Sequence, residues 1–317
     1  MVEKKKKLYP FKFEEGTTVL DQDSVIANGF LAGNSIDDML ETYLADAVGI
    51  DILKYYRGDL PVTLSYNRFC GKSLLSTCPD DNTAFERYGV FGRSRLWYIS
   101  SVGKGAKIYF GFKEPITPET FYNRCTAGTI ADSLYSFEPA KGDCLFIKPG
   151  IVFATEGDIE VVEVAQNSPV SYTLYDMNGG CMLSERREYK YMMEIGEAID
   201  IIDYTPVKIE DYLYPEAGFG KTIADGSHFV AGFMELKGER GVSPSSLGSC
   251  VLYFCIDGTM EIKGAGNETY TIERGEMAFV PESMDDFTMA GNGAHILEVT
   301  IPQPPEEVDG YVNDKKE

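Results

Sequence analysis

One stretch of this chain is written twice. Gly142-Asp143-Cys144-Leu145-Phe146-Ile147-Lys148-Pro149 and Gly275-Glu276-Met277-Ala278-Phe279-Val280-Pro281 share a Gly-acidic turn, an apolar β-rich run and a closing proline. Glycine permits the turn, and proline cannot donate to a β-ladder, so each copy spells turn, strand, stop. A second apolar run follows each at similar distance, at 159–165 and 296–301. A long unit used twice predicts two copies of one β-rich body, and 317 residues are enough for two cores.

The rest of the chain agrees with a mainly β reading. Short runs such as 96–100, 106–112, 251–256 and 277–280 alternate with Gly, Pro, Asn and Asp turns, as in sandwiches and barrels. Two helical stretches interrupt them. Ser35 caps a run with Ile36, Met39, Leu40, Tyr43, Leu44 and Ala47 at helical spacing, ending at Gly49, with a further turn at 52–56. Thr117-Pro118-Glu119 opens the second, which carries Phe121, Tyr122 and Cys125 and breaks at Gly128.

Charge narrows the range of partners. Fifty acidic against 29 basic residues leave a net charge of −21, a field that repels nucleic acid and anionic membrane surfaces. Any sugar phosphate needs a local basic pocket to overcome it. The basic start (Lys4 to Lys7) is not followed by an apolar segment of the signal-peptide kind, and no apolar run approaches a bilayer's thickness. A cytoplasmic protein is expected. Seven cysteines without a CxxC predict free thiols rather than a disulfide framework or zinc ribbon. Only two histidines exist, His228 and His295, both in the last third of the chain.

Several segments, in order, resemble the small two-barrel mannose-6-phosphate isomerases of the cupin superfamily. Residues 23–34 (DSVIANGFLAGN) are similar to the family's VVANGPLAGKS, and Pro79-Asp80-Asp81 falls on its QVHPDD. Trp97-Tyr98-Ile99 matches the end of GKTECWYI, and 106–112 resembles AKIYYGF. Gln166-Asn167-Ser168 and 172–176 fall on QQNSDxTYRVYD, and Arg274-Gly275-Glu276, Pro281 and Asp286-Phe287-Thr288 on KKGDxxxIPAxxPDFT. The resemblance implies a mainly β fold of two cupin (jelly-roll) barrels with a few helices packed on the N-terminal one. The expected division is 1–205 for the first barrel, 206–301 for the second, and a disordered tail at 302–317.

In that family a divalent metal polarises the sugar oxygens while a proton moves between adjacent carbons. The resemblance places the metal ligands at Ser76, Cys78, Arg95 and Phe153, where the family has Gln, His, Glu and His. Arginine offers no lone pair and phenylalanine no polar atom, so only Cys78 retains a donor suited to zinc. Thr173 stands at the place of a family arginine, and Ser65 at that of a phosphate-binding lysine. Tyr175 and Asp176 match the family. These eight positions form the expected ligand pocket, with no metal and no catalytic residue.

Arg95 has two readings: a binder of phosphate or carboxylate, or half of an ion pair with Glu163, Asp80 or Asp81. Trp97 and Phe153 either stack on a sugar or pack a core, and Asp176 either serves the site or anchors a turn. The expected function is an isomerase-like protein of carbohydrate metabolism that has lost the metal-dependent activity. It would bind a sugar, a sugar phosphate or a protein partner, and self-association is open to it. The alternatives are an active isomerase with a non-standard site, and a structural or regulatory subunit.

Overall fold

The computed structural model describes residues 6–43, 45–178, 194–215, 220, 222–224, 228–264 and 268–304. The chain is mainly β, with a nearly closed barrel sheet. It divides into two compact units, and the division is not a simple cut along the sequence. One unit comprises Thr18–Leu20 and Val62–Lys221; the other comprises Met1–Thr17, Asp21–Pro61 and Thr222–Glu317.

The first of these units contains two antiparallel sheets. The six-stranded sheet runs in the order Leu213–Tyr214, Cys144–Ile147, Arg95–Val102, Ile159–Gln166, Val62–Phe69, Val19–Leu20. The five-stranded sheet runs Tyr172–Asp176, Leu74–Thr77, Phe153–Glu156, Lys107–Phe112, Leu134–Phe137. Alternation along the strands gives each sheet an inner face. Trp97, Ile99, Ile108, Phe110, Leu145, Ile147, Phe153 and Val161 form a single apolar cluster that draws on both sheets. The opposite face of the five-stranded sheet offers Leu75, Phe112, Ala154, Tyr172 and Leu174 to Phe121 and Cys125 of the helix Pro118–Ala127. That helix starts as its sequence predicts: the Thr117 hydroxyl accepts from the Thr120 N–H at 3.1 Å, and Gly128 closes it at φ 73°.

In the other unit the central strands are Met277–Val280, Val251–Asp257, Phe287–Thr300 and Val230–Val242, flanked by Phe11–Lys12 and Thr222–Ala224. The hairpin Thr259–Lys263 with Thr269–Glu273 pairs with the first half of Phe287–Thr300, whose second half pairs with Val251–Asp257. Tyr253, Cys255, Met260, Ile262, Ile272, Met289 and Ile296 fill its core.

The written repeat is also a structural one. Cys144–Ile147 pairs with Arg95–Val102, which pairs with Ile159–Gln166 and then Val62–Phe69. Met277–Val280 pairs with Val251–Asp257, which pairs with Phe287–Thr300 and then Val230–Val242. The turn glycines Gly142 and Gly275 take φ of 95° and 86°, a conformation that favours glycine.

Three expectations need revision. The helices at Ile36–Tyr43, Ala45–Val48 and Ile50–Tyr55 group with the C-terminal sheet, not with a 1–205 barrel. The cause is long-range pairing: Phe11 lies opposite Phe279, and the Glu282 N–H donates to the Ala47 carbonyl at 2.9 Å. The expected division at 205/206 is not the boundary either, because Leu213–Tyr214 still pairs with Cys144–Ile147. Asp81–Tyr88 is a helix that the strand-rich reading passed over; Asp80 caps it through the Thr83 N–H at 2.8 Å. The tail from 305 onward and Cys181 lie outside the described residues, while Cys70, Cys78, Cys125, Cys144, Cys250 and Cys255 are free thiols. No helix of the described residues is long and apolar enough to cross a membrane.

Candidate functional site

Strand register decides which of the expected positions meet. Glu163, in Ile159–Gln166, lies opposite Trp97 on one side and Ser65 on the other, so the three side chains share a face. Arg95 is two residues before Trp97 and therefore points the same way. Across the five-stranded sheet Ser76 lies opposite both Phe153 and Thr173, which puts these three on one face. Phe153 and Trp97 meet edge to face at 5.5 Å and 90°.

The centre of the group is a buried carboxylate. Glu163 accepts from the Arg95 guanidinium at 3.0 and 3.2 Å and from the Trp97 indole N–H at 2.6 Å. Arg93 approaches it at 3.6 Å and donates to the Ser168 carbonyl at 2.7 Å. The side chains of Arg95 and Glu163 are only 14% and 7% exposed. Arg95 also reaches the Cys78 sulfur at 3.5 Å and lies over the Phe153 ring at 5.4 Å. Cys78 is buried, 3.7 Å from the Ser171 hydroxyl. Ser65 is buried and accepts from the Asn67 amide at 2.8 Å.

Ionisation follows from this packing. Burial by itself raises the Glu163 carboxyl, but Arg95, then Arg93 and the indole bond outweigh it and hold it below the ordinary carboxylate value. Burial works against the Arg95 charge too, and the Glu163 carboxylate and the Cys78 sulfur outweigh it, so Arg95 is held the more firmly protonated. Arg93 is lowered by burial and by the like charge of Arg95. Two cations thus share one anion. The Nε–H groups of Arg93 and Arg95 are buried without a protein acceptor.

Of the eight expected positions, six belong to this inner face or its edge: Ser65, Ser76, Cys78, Arg95, Phe153 and Thr173. Tyr175 and Asp176 do not. A bulge between Thr173 and Tyr175 shifts the register, and Tyr175 packs in the outer cluster with Leu75 and Phe121. Asp176 accepts from the Asn178 N–H and side-chain amide at 3.0 and 2.9 Å, so it anchors a turn. Asp80 is a helix cap, and Asp81 accepts from the Gly92 N–H and the Gln166 amide. Arg95 therefore takes Glu163 from its three expected partners. Arg93 was not singled out from the sequence, although the Arg93–Arg95 spacing is the signal for two cations on one strand face.

The family motifs that survive here hold loops. Ser168 donates to the Phe91 carbonyl at 2.7 Å, and a side chain at Gly92 would strike the Asp80 backbone at 2.4 Å. His228 is buried with Nδ1 2.6 Å from the Tyr56 hydroxyl, and His295 lies opposite Glu235 and Asp257. Among the described residues no group of three His, Cys, Asp or Glu side chains is placed to hold a metal.

Residues 228–299 match the family model described as mannose-6-phosphate isomerase, cupin domain. Mannose-6-phosphate isomerase ManA of Bacillus subtilis is 23% identical over 279 residues, covering 84% of this chain and 82% of that protein. The mannose-6-phosphate isomerase of Streptococcus mutans is 22% identical over 216 residues, 68% of this chain and 66% of that one. The crystal structure of mannose 6-phosphate isomerase from Bacillus subtilis aligns with a TM-score of 0.68 at 19% identity, covering 87% of this chain and 85% of that one. The chain is a phosphomannose isomerase-like cupin protein. The family model thus matches a segment of the unit that lacks Arg95 and Glu163, while the pairwise similarity extends across both units of this cupin protein.

Proposed function

We propose that this cupin protein is a non-catalytic relative of the phosphomannose isomerases, acting in carbohydrate metabolism without a bound metal. The observation that carries the reading is the Arg95–Glu163 pair, buried at the resemblance's metal position with the Arg95 guanidinium over the Phe153 ring. A catalytic zinc takes neutral imidazole, thiolate or carboxylate donors and keeps one position open. The groups here do not fit it. Arg95 and Phe153 have no lone pair to give, Ser76 offers a neutral hydroxyl, and the one carboxylate nearby already accepts from a guanidinium and an indole. A guanidinium beside that position also repels a dication. Without a metal or a free base, moving a proton between adjacent sugar carbons has no agent in this group of side chains.

The test is direct. Purified protein is expected to carry no stoichiometric zinc after dialysis against it, and to give no conversion of mannose 6-phosphate to fructose 6-phosphate at high protein concentration. Stoichiometric zinc together with chelator-sensitive turnover would overturn the reading and restore an active isomerase.

A second reading keeps the site as a receptor for a sugar phosphate. Its support is the excess of one cation over Glu163 and the two Nε–H groups without a protein acceptor. Calorimetry with mannose 6-phosphate and mannose separates the cases, since an anion site prefers the phosphate and weakens with salt. Binding of neither sugar leaves a protein partner as the ligand, for which co-purification is the measurement.

A further inference from the structure

A cleft of about 470 Å³ lies elsewhere in the protein, wholly within the unit that carries the C-terminal sheet. Tyr9, Phe30 and Tyr270 supply its aromatic surface, and Glu268, Asp285 and Lys7 its charges. The rings of Tyr9 and Tyr270 are near parallel at 6.4 Å, and Phe30 meets Tyr9 at 5.2 Å and 66°. Phe30 is 38% exposed, so its ring is open to a ligand from solvent. Tyr270 donates to Glu268 at 2.8 Å, which fixes that carboxylate beside the rings.

We propose that this cleft binds a primary alkylammonium: a cation on a short apolar stem. Two observations point to it. The chain's own ammonium groups already take both kinds of contact that such a ligand needs, with Lys6 lying over the Phe30 ring at 4.9 Å and Lys7 paired with Asp285. Aromatic faces attract cations through their quadrupole, and the methylene stem gains from apolar ring surface. Second, the two carboxylates of the lining, Glu268 and Asp285, are faced among the described residues by Lys7 and Lys6, which belong to the exposed basic start of a protein of net charge −21. Once those lysines are displaced the cleft presents two carboxylates, which repel an anion and gain no charge pairing from a neutral ligand. Lys6 and Lys7 act as placeholders. The Lys7–Asp285 pair is 60% and 57% exposed, so it is weakly held and open to displacement by a free amine.

The proposal does not depend on the reading of the Arg95 site. Calorimetry on the full chain uses cadaverine as probe, with 1,5-pentanediol as its uncharged analogue and mannose 6-phosphate as the anion. Cadaverine is expected to bind, more weakly as salt rises, while the diol and the anion do not. Glu268→Gln and Phe30→Ala are each expected to weaken it about tenfold, the scale of one charge or cation–π contact. The double variant Lys6→Ala/Lys7→Ala is expected to bind cadaverine more tightly, because the internal competitor is gone. Both altered lysines are surface residues, and a thermal melt checks that each variant folds. Equal binding of diol and cadaverine, no cadaverine binding in either wild type or the lysine variant, or unchanged affinity in Glu268→Gln would overturn the proposal.

Discussion

Each of the two units builds a carboxylate into the same place in its sheet, and they satisfy it differently. Trp97 lies opposite Leu145 and Glu163; Tyr253 lies opposite Ala278 and Glu298. Leu145 and Ala278 are matching residues of the written repeat, so Trp97 corresponds to Tyr253 and Glu163 to Glu298. The bond is repeated as well: the Trp97 indole donates to Glu163 at 2.6 Å and the Tyr253 hydroxyl donates to Glu298 at 2.9 Å. An aromatic donor facing a glutamate is therefore a property of the repeated sheet, not of one site. The difference is the cation. Arg95 occupies the place of Val251 and is nearly buried with Glu163, whereas Glu298 is reached at 3.4 Å from a half-exposed Arg240. One unit has drawn its counter-charge into the core; the other leaves it at the surface.

Removing the two glutamates should break the comparison most sharply. Glu163→Ala strands two guanidiniums whose carboxylate partner, among the described residues, is Glu163, a change on the scale of about 3–5 kcal/mol for breaking a buried pair. Glu298→Ala leaves Arg240 free to turn to solvent and costs the Tyr253 hydroxyl its acceptor, about 1–3 kcal/mol. Chemical denaturation of both variants measures the gap. Equal losses would mean that Glu163 is not the keystone that its burial implies.

Acid should separate the units next. The Glu163 carboxyl is held below its ordinary value by Arg95 and Arg93 against the opposing effect of burial. A depressed pKa contributes stability that is complete above the unfolded value, near 4.5, and is lost as pH falls through the folded value below it. Arg95→Met removes the cation that lowers Glu163 most and leaves the burial, so the folded-state pKa moves up towards the unfolded one and the stability lost in acid shrinks. Melting curves from pH 3 to 7 are expected to show a shallower acid limb in Arg95→Met and an unchanged one in Arg240→Met. An identical acid limb in wild type and Arg95→Met would sink the assignment.

Much of this was legible in the residues. The repeat announced two similar sheets because turn glycines and strand-ending prolines have few other uses, and the capped helices at Ser35 and Thr117 formed where their caps predict. Grouping was not legible: Phe11 and Ala47 reach the C-terminal sheet through pairing with residues more than 200 positions away, which no local pattern encodes. For the site, the erased ligands could be read position by position, but which of Glu163, Asp80 and Asp81 faces Arg95 depended on register. Tyr175 was misplaced for the same reason, since a single bulge reverses a strand's faces. The Tyr253–Glu298 pair carries no mark in the sequence, because it forms only when register brings the two strands side by side.

The smallest effect sharpens the comparison furthest, because it isolates the shared bond. Tyr253→Phe removes one hydroxyl and keeps the ring, while Arg240 still faces Glu298. The expected loss is about 1 kcal/mol, the usual net value of one hydrogen bond. Trp97→Phe also deletes the donor, but Arg95 and Arg93 continue to serve Glu163, and the smaller ring opens space beside Phe69 and Phe153. Its cost should therefore come mainly from lost packing. A double cycle of Trp97→Phe with Glu163→Gln tests this: coupling below about 0.5 kcal/mol is expected if packing dominates. Coupling as large as that of Tyr253 with Glu298 would mean that the indole bond, and not the arginine pair, is what holds Glu163 in place.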